Sequence, residues 1–325
     1  MNYRSLNDLA GLITRHASRI DNDVDLVVGI PRSGMLAASI ISLKLNLPLT
    51  DLYSFLRNDE LKRGSTRTYK RNQLQRAQDA RKILLVDDSV ATGQSLNEAL
   101  EKLRQVKYPG EIQTLAGFAE KKNAYRVDVC LEEVEQPRVF EWNVMHHGII
   151  AHACLSIDGV LCEPPNAEQL GDDAAYQAFI RDARPLFIPS VKAAHLVTGR
   201  PEKYRELTED WLARHGVEYG RLHMMEVPAD DFERAPLQRF KADVYRKDSF
   251  ARLYIERDPL QAQEIVKASH KPVYCLDANE MYVPGKAALM KVEVLHSGYK
   301  AGAKARSLLR KTLAHILPAR PANGG

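Results

Sequence analysis

Residues 83–95, Ile-Leu-Leu-Val-Asp-Asp-Ser-Val-Ala-Thr-Gly-Gln-Ser, restrict what this chain can become more than any other stretch. The apolar residues 83–86 read as a strand buried on both faces of a parallel sheet. Asp87 and Asp88 stand where that strand ends, followed by Ser89 and Val90. Small residues around one glycine come next, Ala91-Thr92-Gly93-Gln94-Ser95, and Leu96, Leu100 and Leu103 then begin a helical stripe. A strand, a short loop and a helix N-terminus in that order make an anion site, because free backbone N–H groups and the positive helix end favour a phosphate. The adjoining acid pair can take ribose hydroxyls, or water on a magnesium ion.

The stretch resembles the phosphoribosyl-pyrophosphate (PRPP) signature of the type I phosphoribosyltransferases: an apolar strand, two acids, three residues, then Thr-Gly and small residues. The resemblance implies that Asp87 and Asp88 are the catalytic acids, holding ribose hydroxyls and Mg2+. It also implies that Ser89 and residues Ala91, Thr92, Gly93, Gln94 and Ser95 bind PRPP, the last five gripping its 5′-phosphate.

Length sets the frame for this motif. A chain of 325 residues suggests two domains. With 45% hydrophobic and 27% charged residues it has the composition of an ordinary globular protein, and no run approaches a membrane span. The N-terminus carries no signal-peptide apolar region, and Cys130, Cys154, Cys162 and Cys275 include no C-x-x-C pair. Reduced thiols and a cytoplasmic location are therefore expected. The net charge is +4, but residues 299–325 hold six cations and no acid, which leaves −2 for residues 1–298. The basic character is a C-terminal feature, not a nucleic-acid footprint over the whole chain.

Ahead of the signature, residues 4–20 show helical apolar spacing, residues 24–30 a strand and residues 35–45 a helix. Between the last two lies Gly29-Ile30-Pro31-Arg32-Ser33-Gly34. Glycine and proline let backbone approach an anion, and Arg32 adds charge. In the resembling family the equivalent loop takes the pyrophosphate of PRPP, which points to Arg32, Ser33 and Gly34. Residues 48–55 read as a further strand. The basic stretch 56–82 is a solvated loop, or the lid that closes over PRPP and excludes water in that family. The lid candidates are Arg67, Tyr69 and Lys70. Residues 96–105 read as a helix, and 111–119 and 127–134 as strands. Phe140 and Trp142 are either base-stacking hood residues, as the family implies, or core aromatics. His146 and His147 lack zinc-ligand spacing.

From residue 149 a second βαβα alternation begins, with strands expected at 149–155, 194–201, 253–258 and 273–276. Four pieces come in order: Ser156-Ile157-Asp158, Thr198-Gly199, Lys241 and Glu256-Arg257-Asp258. Together they resemble the haloacid dehalogenase (HAD) superfamily. The resemblance implies Asp158 as acid/base, Thr198, Gly199 and Lys241 (or Lys247) around a phosphate, and Glu256 and Asp258 on Mg2+. The family's nucleophilic aspartate should stand at 156, where this chain has Ser156. A serine cannot act there as both carboxylate nucleophile and metal ligand, so phosphoaspartate chemistry is not expected.

The expected architecture is α/β with two domains. Residues 1–147 would form a type I phosphoribosyltransferase parallel sheet flanked by helices, and residues 148–298 a Rossmann-like HAD domain. Residues 299–325 would form a basic helix and tail. Bacterial proteins joining two such domains are known, some from phage-defence settings. One functional reading is an enzyme that uses PRPP and Mg2+ to ribosylate a nucleobase-like nitrogen, working as a homodimer. The other is a nucleotide-sensing or defence-associated module whose basic tail contacts nucleic acid or a protein partner. No membrane contact is expected of either.

Overall fold

In the computed structural model, residues 1–62, 74–226 and 237–285 are described, and the chain divides into two units, residues 1–147 and 148–325. The lid candidates Arg67, Tyr69 and Lys70 and the basic tail lie outside the described residues. No helix among the described residues is long and apolar enough to cross a membrane.

The elements of unit 1 run β1 (Asn2–Arg4), α1 (Leu6–Arg15), β2 (Leu26–Gly29), α2 (Gly34–Leu45), β3 (Leu49–Asp51) and α3 (Leu52–Leu56). After the undescribed stretch come β4 (Lys82–Val90), α4 (Gln94–Gln105), β5 (Glu111–Ala119), β6 (Val129–Glu133) and β7 (Arg138–Phe140). Five strands form a parallel sheet in the order β3-β2-β4-β5-β6, and β1 pairs in parallel with β7 as a separate ribbon. The apolar run of β4 alternates between two cores, as a period of two requires. Leu84 and Val86 pack with Leu9, Ile13 and Phe118 on one face, while Ile83 and Leu85 pack with Phe55, Leu96 and Leu103 on the other. Helix α1 begins with a capping box in which Ser5 Oγ accepts from the Asp8 N–H (3.1 Å) and Asp8 Oδ2 accepts from the Ser5 N–H (2.8 Å).

Two expected strands differ. The strand read over 48–55 stops at Asp51, whose carboxylate accepts the Tyr53 and Ser54 N–H groups (2.9 and 3.1 Å) and starts α3. The strand read over 83–86 continues to Val90, so Asp87 and Asp88 lie within β4 and not at its end. Asp87 stands opposite Ala116 and Ser89 opposite Phe118.

The elements of unit 2 are β8 (Ala153–Ser156), α5 (Ala167–Gly171), α6 (Asp173–Asp182), β9 (Ala193–Pro201), α7 (Arg205–Arg214), β10 (Tyr219–Met225) and α8 (Leu237–Lys247). They continue with β11 (Leu253–Glu256), α9 (Pro259–Ser269), β12 (Val273–Cys275) and β13 (Glu280–Tyr282). The sheet order is β10-β9-β8-β11-β12-β13, parallel except for the antiparallel β13. Connections that return each strand parallel to its neighbour bring the carboxyl ends of β8, β9 and β11 to one edge. The expected strand over 149–155 begins only at Ala153, because Gly148–His152 form a 3-10 turn. Unit 2 is therefore a second parallel α/β domain.

Candidate functional site

In unit 1 the acid pair is buried, with Asp87 7% and Asp88 4% exposed. The two carboxylates are not equivalent. Asp88 Oδ1 accepts a hydrogen bond from Ser33 Oγ (2.8 Å), and its Oδ2 accepts one from the indole Nε1 of Trp142 (2.7 Å). Asp87 Oδ1 accepts the Asp88 backbone N–H (2.9 Å). Burial, and then the neighbouring Asp88 charge, push the Asp87 carboxyl up to about 8. One anchored carboxylate thus stands beside a second that is hard to ionise in the ligand-free protein.

The 31–33 turn reaches the pair through α2. A methyl on Gly34 would come 2.7 Å from the Val86 carbonyl oxygen and 3.2 Å from Asp87 Oδ1, so only glycine lets the helix start this close. Gly117 does the same from β5, where a methyl would come 2.7 Å from the Asp88 carbonyl oxygen. Arg32 is exposed at the turn, and the Pro31–Arg32 peptide is cis. On the other side of the pair, Ala91, Thr92, Gln94 and Ser95 are exposed around a buried Gly93, whose φ of 82° opens α4. The structure thus brings Arg32, Ser33 and Gly34, which follow β2, and the 91–95 loop, which follows β4, to either side of Asp87 and Asp88 in the second half of β4. Ser89 follows the acids in β4.

The aromatic pair separates. Phe140 is 4% exposed and packs with Phe118 and Trp142 (ring centroids 5.0 Å from each), as the core-aromatic alternative has it. Trp142 is half-buried and touches the acid pair directly. Arg138 and Asn123 support the site from outside the motifs. Arg138 is buried and donates to the Val90 (3.0 Å) and Val134 (3.3 Å) carbonyls, bracing the end of β4. Asn123 donates its side-chain amide to the Ala91 carbonyl. Neither lies within a motif; each acts through a partner distant in sequence.

In unit 2, Ser156, Asp158, Thr198, Lys241 and Glu256 are brought together, but they satisfy one another. Ser156 Oγ donates to Glu256 Oε2 (2.6 Å) and lies 3.2 Å from the Tyr254 hydroxyl. Lys241, and not the exposed Lys247, joins this group: its Nζ donates to Glu256 Oε2 (2.7 Å) and Gln261 Oε1 (2.9 Å). Asp158 is claimed by Arg200, a fully buried guanidinium that no motif announced. Arg200 Nη2 lies 2.7 Å and Nε 3.0 Å from Asp158 Oδ1, and Thr198 Oγ1 donates to Oδ2 (2.7 Å). Burial alone would raise the Asp158 carboxyl, but Arg200 and Thr198 hold it below its ordinary value.

Each acid of this group already has a partner. Asp158 is a paired anion and not a poised proton donor. Asp258 is the N-cap of α9, accepting the Leu260 (2.9 Å) and Gln261 (2.8 Å) N–H groups on Oδ1, and Glu256 is paired with Lys241. Among the described residues no group of three or more His, Cys, Asp or Glu is placed to hold a metal ion. Gly199 packs against α8, where a methyl would come 2.9 Å from Leu237 Cδ1. The four cysteines are free.

The phosphoribosyl transferase domain family matches residues 2–148. Solved structures similar to this chain include a purine phosphoribosyltransferase from Pyrococcus horikoshii (21% identity over 44% of this chain and 95% of that one, TM-score 0.32). A xanthine-guanine-hypoxanthine phosphoribosyltransferase from Helicobacter pylori is similar at 20% identity (44% and 92%, TM-score 0.33). An orotate phosphoribosyltransferase from Aeropyrum pernix is similar at 17% identity (39% and 71%, TM-score 0.27). No curated protein matches the chain. The match begins and ends where unit 1 does to within a residue, and residues 2–148 are a phosphoribosyl transferase domain.

Proposed function

We propose that unit 1 transfers a phosphoribosyl group from PRPP to a nitrogen of a nucleobase-like acceptor. The observation that carries this is the coupling of Asp88 to Ser33: the acid pair, the 31–34 turn and the 91–95 loop form one continuous rim. A diphosphate on one side, a ribose in the middle and a phosphate on the other is the shape of PRPP. The acceptor nitrogen forms a bond to C1′ as the C1′–O bond breaks, its electron pair leaves with pyrophosphate, and the N–H proton passes to solvent. Asp88, anchored by Ser33 and Trp142, and Asp87 hold the ribose hydroxyls and offset the positive charge that develops on the ring. Arg32 and the 31–34 backbone hold the pyrophosphate, and the N–H groups at the start of α4 hold the 5′-phosphate. Trp142, half-buried beside the acids, is the stacking candidate for the base.

Magnesium fits this rim. Two adjacent buried carboxylates, one of them pushed towards neutrality, gain from a cation, which Asp87 and Asp88 would hold together with substrate oxygens. Bound there, a magnesium ion would supply charge to offset that of the pyrophosphate. For unit 2 we propose a HAD-like fold without phosphoaspartate chemistry. Ser156 as a donor to Glu256 and Asp158 paired with Arg200 support this reading. The test is pyrophosphate release from PRPP and Mg2+ against a panel of nucleobases. Base-dependent release that vanishes in Asp88→Asn supports the transferase. PRPP binding without turnover on any base moves unit 1 to the nucleotide-sensing reading.

A further inference from the structure

The 91–95 loop is braced by one short element, the 3-10 turn Lys121–Arg126. The buried residue of the loop is Gly93, and what lies over it is Arg126. A methyl on Gly93 would come 2.7 Å from Arg126 Cδ, 3.4 Å from its Nε and 3.6 Å from its Nη1. The guanidinium therefore lies against the loop and not out in solvent. Its orientation is set from two sides. Arg126 Nε donates to Asn123 Oδ1 (3.1 Å), and its Cζ lies 5.2 Å from the Tyr125 ring centroid. Asn123 in turn gives its amide to the Ala91 carbonyl, so one side chain fixes both the start of the loop and the arginine above it.

No carboxylate among the described residues pairs with Arg126. A cation held beside the positive end of α4, with no acid partner, is electrostatically unfavourable by itself and becomes favourable once an anion sits on the loop. We infer that Arg126 binds the 5′-phosphate of the phosphoribosyl group and that Asn123 is its positioning residue. This deepens the PRPP reading of unit 1 and rests on it. Backbone N–H groups supply direction at the loop, and Arg126 supplies the full charge that a phosphate dianion selects.

The test uses the full chain with Arg126→Met, which keeps an aliphatic stem over Gly93 and removes the charge, and with Arg126→Lys, which restores a charge. Affinities for PRPP, ribose 5-phosphate and pyrophosphate are measured by calorimetric titration, with circular dichroism and melting to check the fold. Arg126→Met is expected to weaken PRPP and ribose 5-phosphate by about 10–100-fold, the loss of one charge-assisted contact. Pyrophosphate affinity should stay within about twofold of wild type, and Arg126→Lys should recover most of the loss. Unchanged ribose 5-phosphate affinity in Arg126→Met overturns the inference. An equal loss for pyrophosphate overturns it as well, because it marks a general effect of charge or packing. If the wild-type chain binds neither PRPP nor ribose 5-phosphate, it is the PRPP reading itself that fails.

Discussion

Asp87→Asn should make unit 1 more stable while abolishing its chemistry, and the gain should depend on pH. In the folded chain the Asp87 carboxyl keeps its proton up to about pH 8, because it is buried beside Asp88. An unfolded aspartate releases its proton near pH ~4. Between those values the folded state binds more protons than the unfolded one, so stability falls as pH rises through the window, and above it the full cost is present. About four pH units at ~1.4 kcal/mol each set a ceiling near ~6 kcal/mol. Asparagine keeps the oxygen that accepts the Asp88 N–H and carries no charge. Scanning calorimetry of both proteins at pH 5, 7 and 8.5 should show curves that nearly coincide at the lowest pH. At the highest, the unit 1 transition should rise in the variant, by no more than that ceiling allows. An advantage that is the same at every pH, or a loss that is the same at every pH, would refute the reasoning about the pair.

Three more perturbations follow from the contacts. Trp142→Phe keeps a ring beside Phe140 but removes a hydrogen bond to an anion, so kcat/KM for PRPP should fall by about 10–100-fold with a small change in Tm; unchanged kinetics would release Trp142 from its role on Asp88. Gly34→Ala forces a methyl against the Val86 carbonyl, and chemical denaturation should show a loss of about 1–3 kcal/mol together with weakened pyrophosphate binding. Ser156→Asp puts a carboxylate where Ser156 now donates to Glu256, and like charges there should lower the Tm of unit 2; Mg2+-dependent hydrolysis of p-nitrophenyl phosphate should remain at background, and its appearance would contradict the reading of unit 2.

What the sequence reveals of this fold depends on where the information sits. The apolar run of β4, the helical stripe of α4 and the whole of β5 are local patterns and lie where the residues say. The 148–152 turn carries the same apolar composition as a strand, but its backbone curls before β8 begins, and composition alone does not separate the two. Residues 52–56 are apolar and aromatic enough for a strand, yet the Asp51 carboxylate caps their N–H groups and a helix forms. In the site, Asp87, Asp88 and the 91–95 loop are contiguous and legible. The groups that give them unequal roles are not: Ser33 and Trp142 lie 55 and 54 residues from Asp88. Buried arginines are the harder case. Arg138 and Arg200 look like surface cations in a list of residues, and only the carbonyls and carboxylates gathered around them explain their burial. Arg200 changes the reading of unit 2 most, because it turns the expected acid/base Asp158 into half of an ion pair.

Whether the rim around Asp88 takes PRPP is read most directly by calorimetric titration of PRPP into the full chain with Mg2+, alongside Asp88→Asn. Wild type should show saturable one-site binding that requires Mg2+, and Asp88→Asn should lose it, since Asp88 links the 31–34 turn to the ribose position. Absence of binding to wild type, or equal binding to Asp88→Asn, would contradict the assignment of this rim to PRPP.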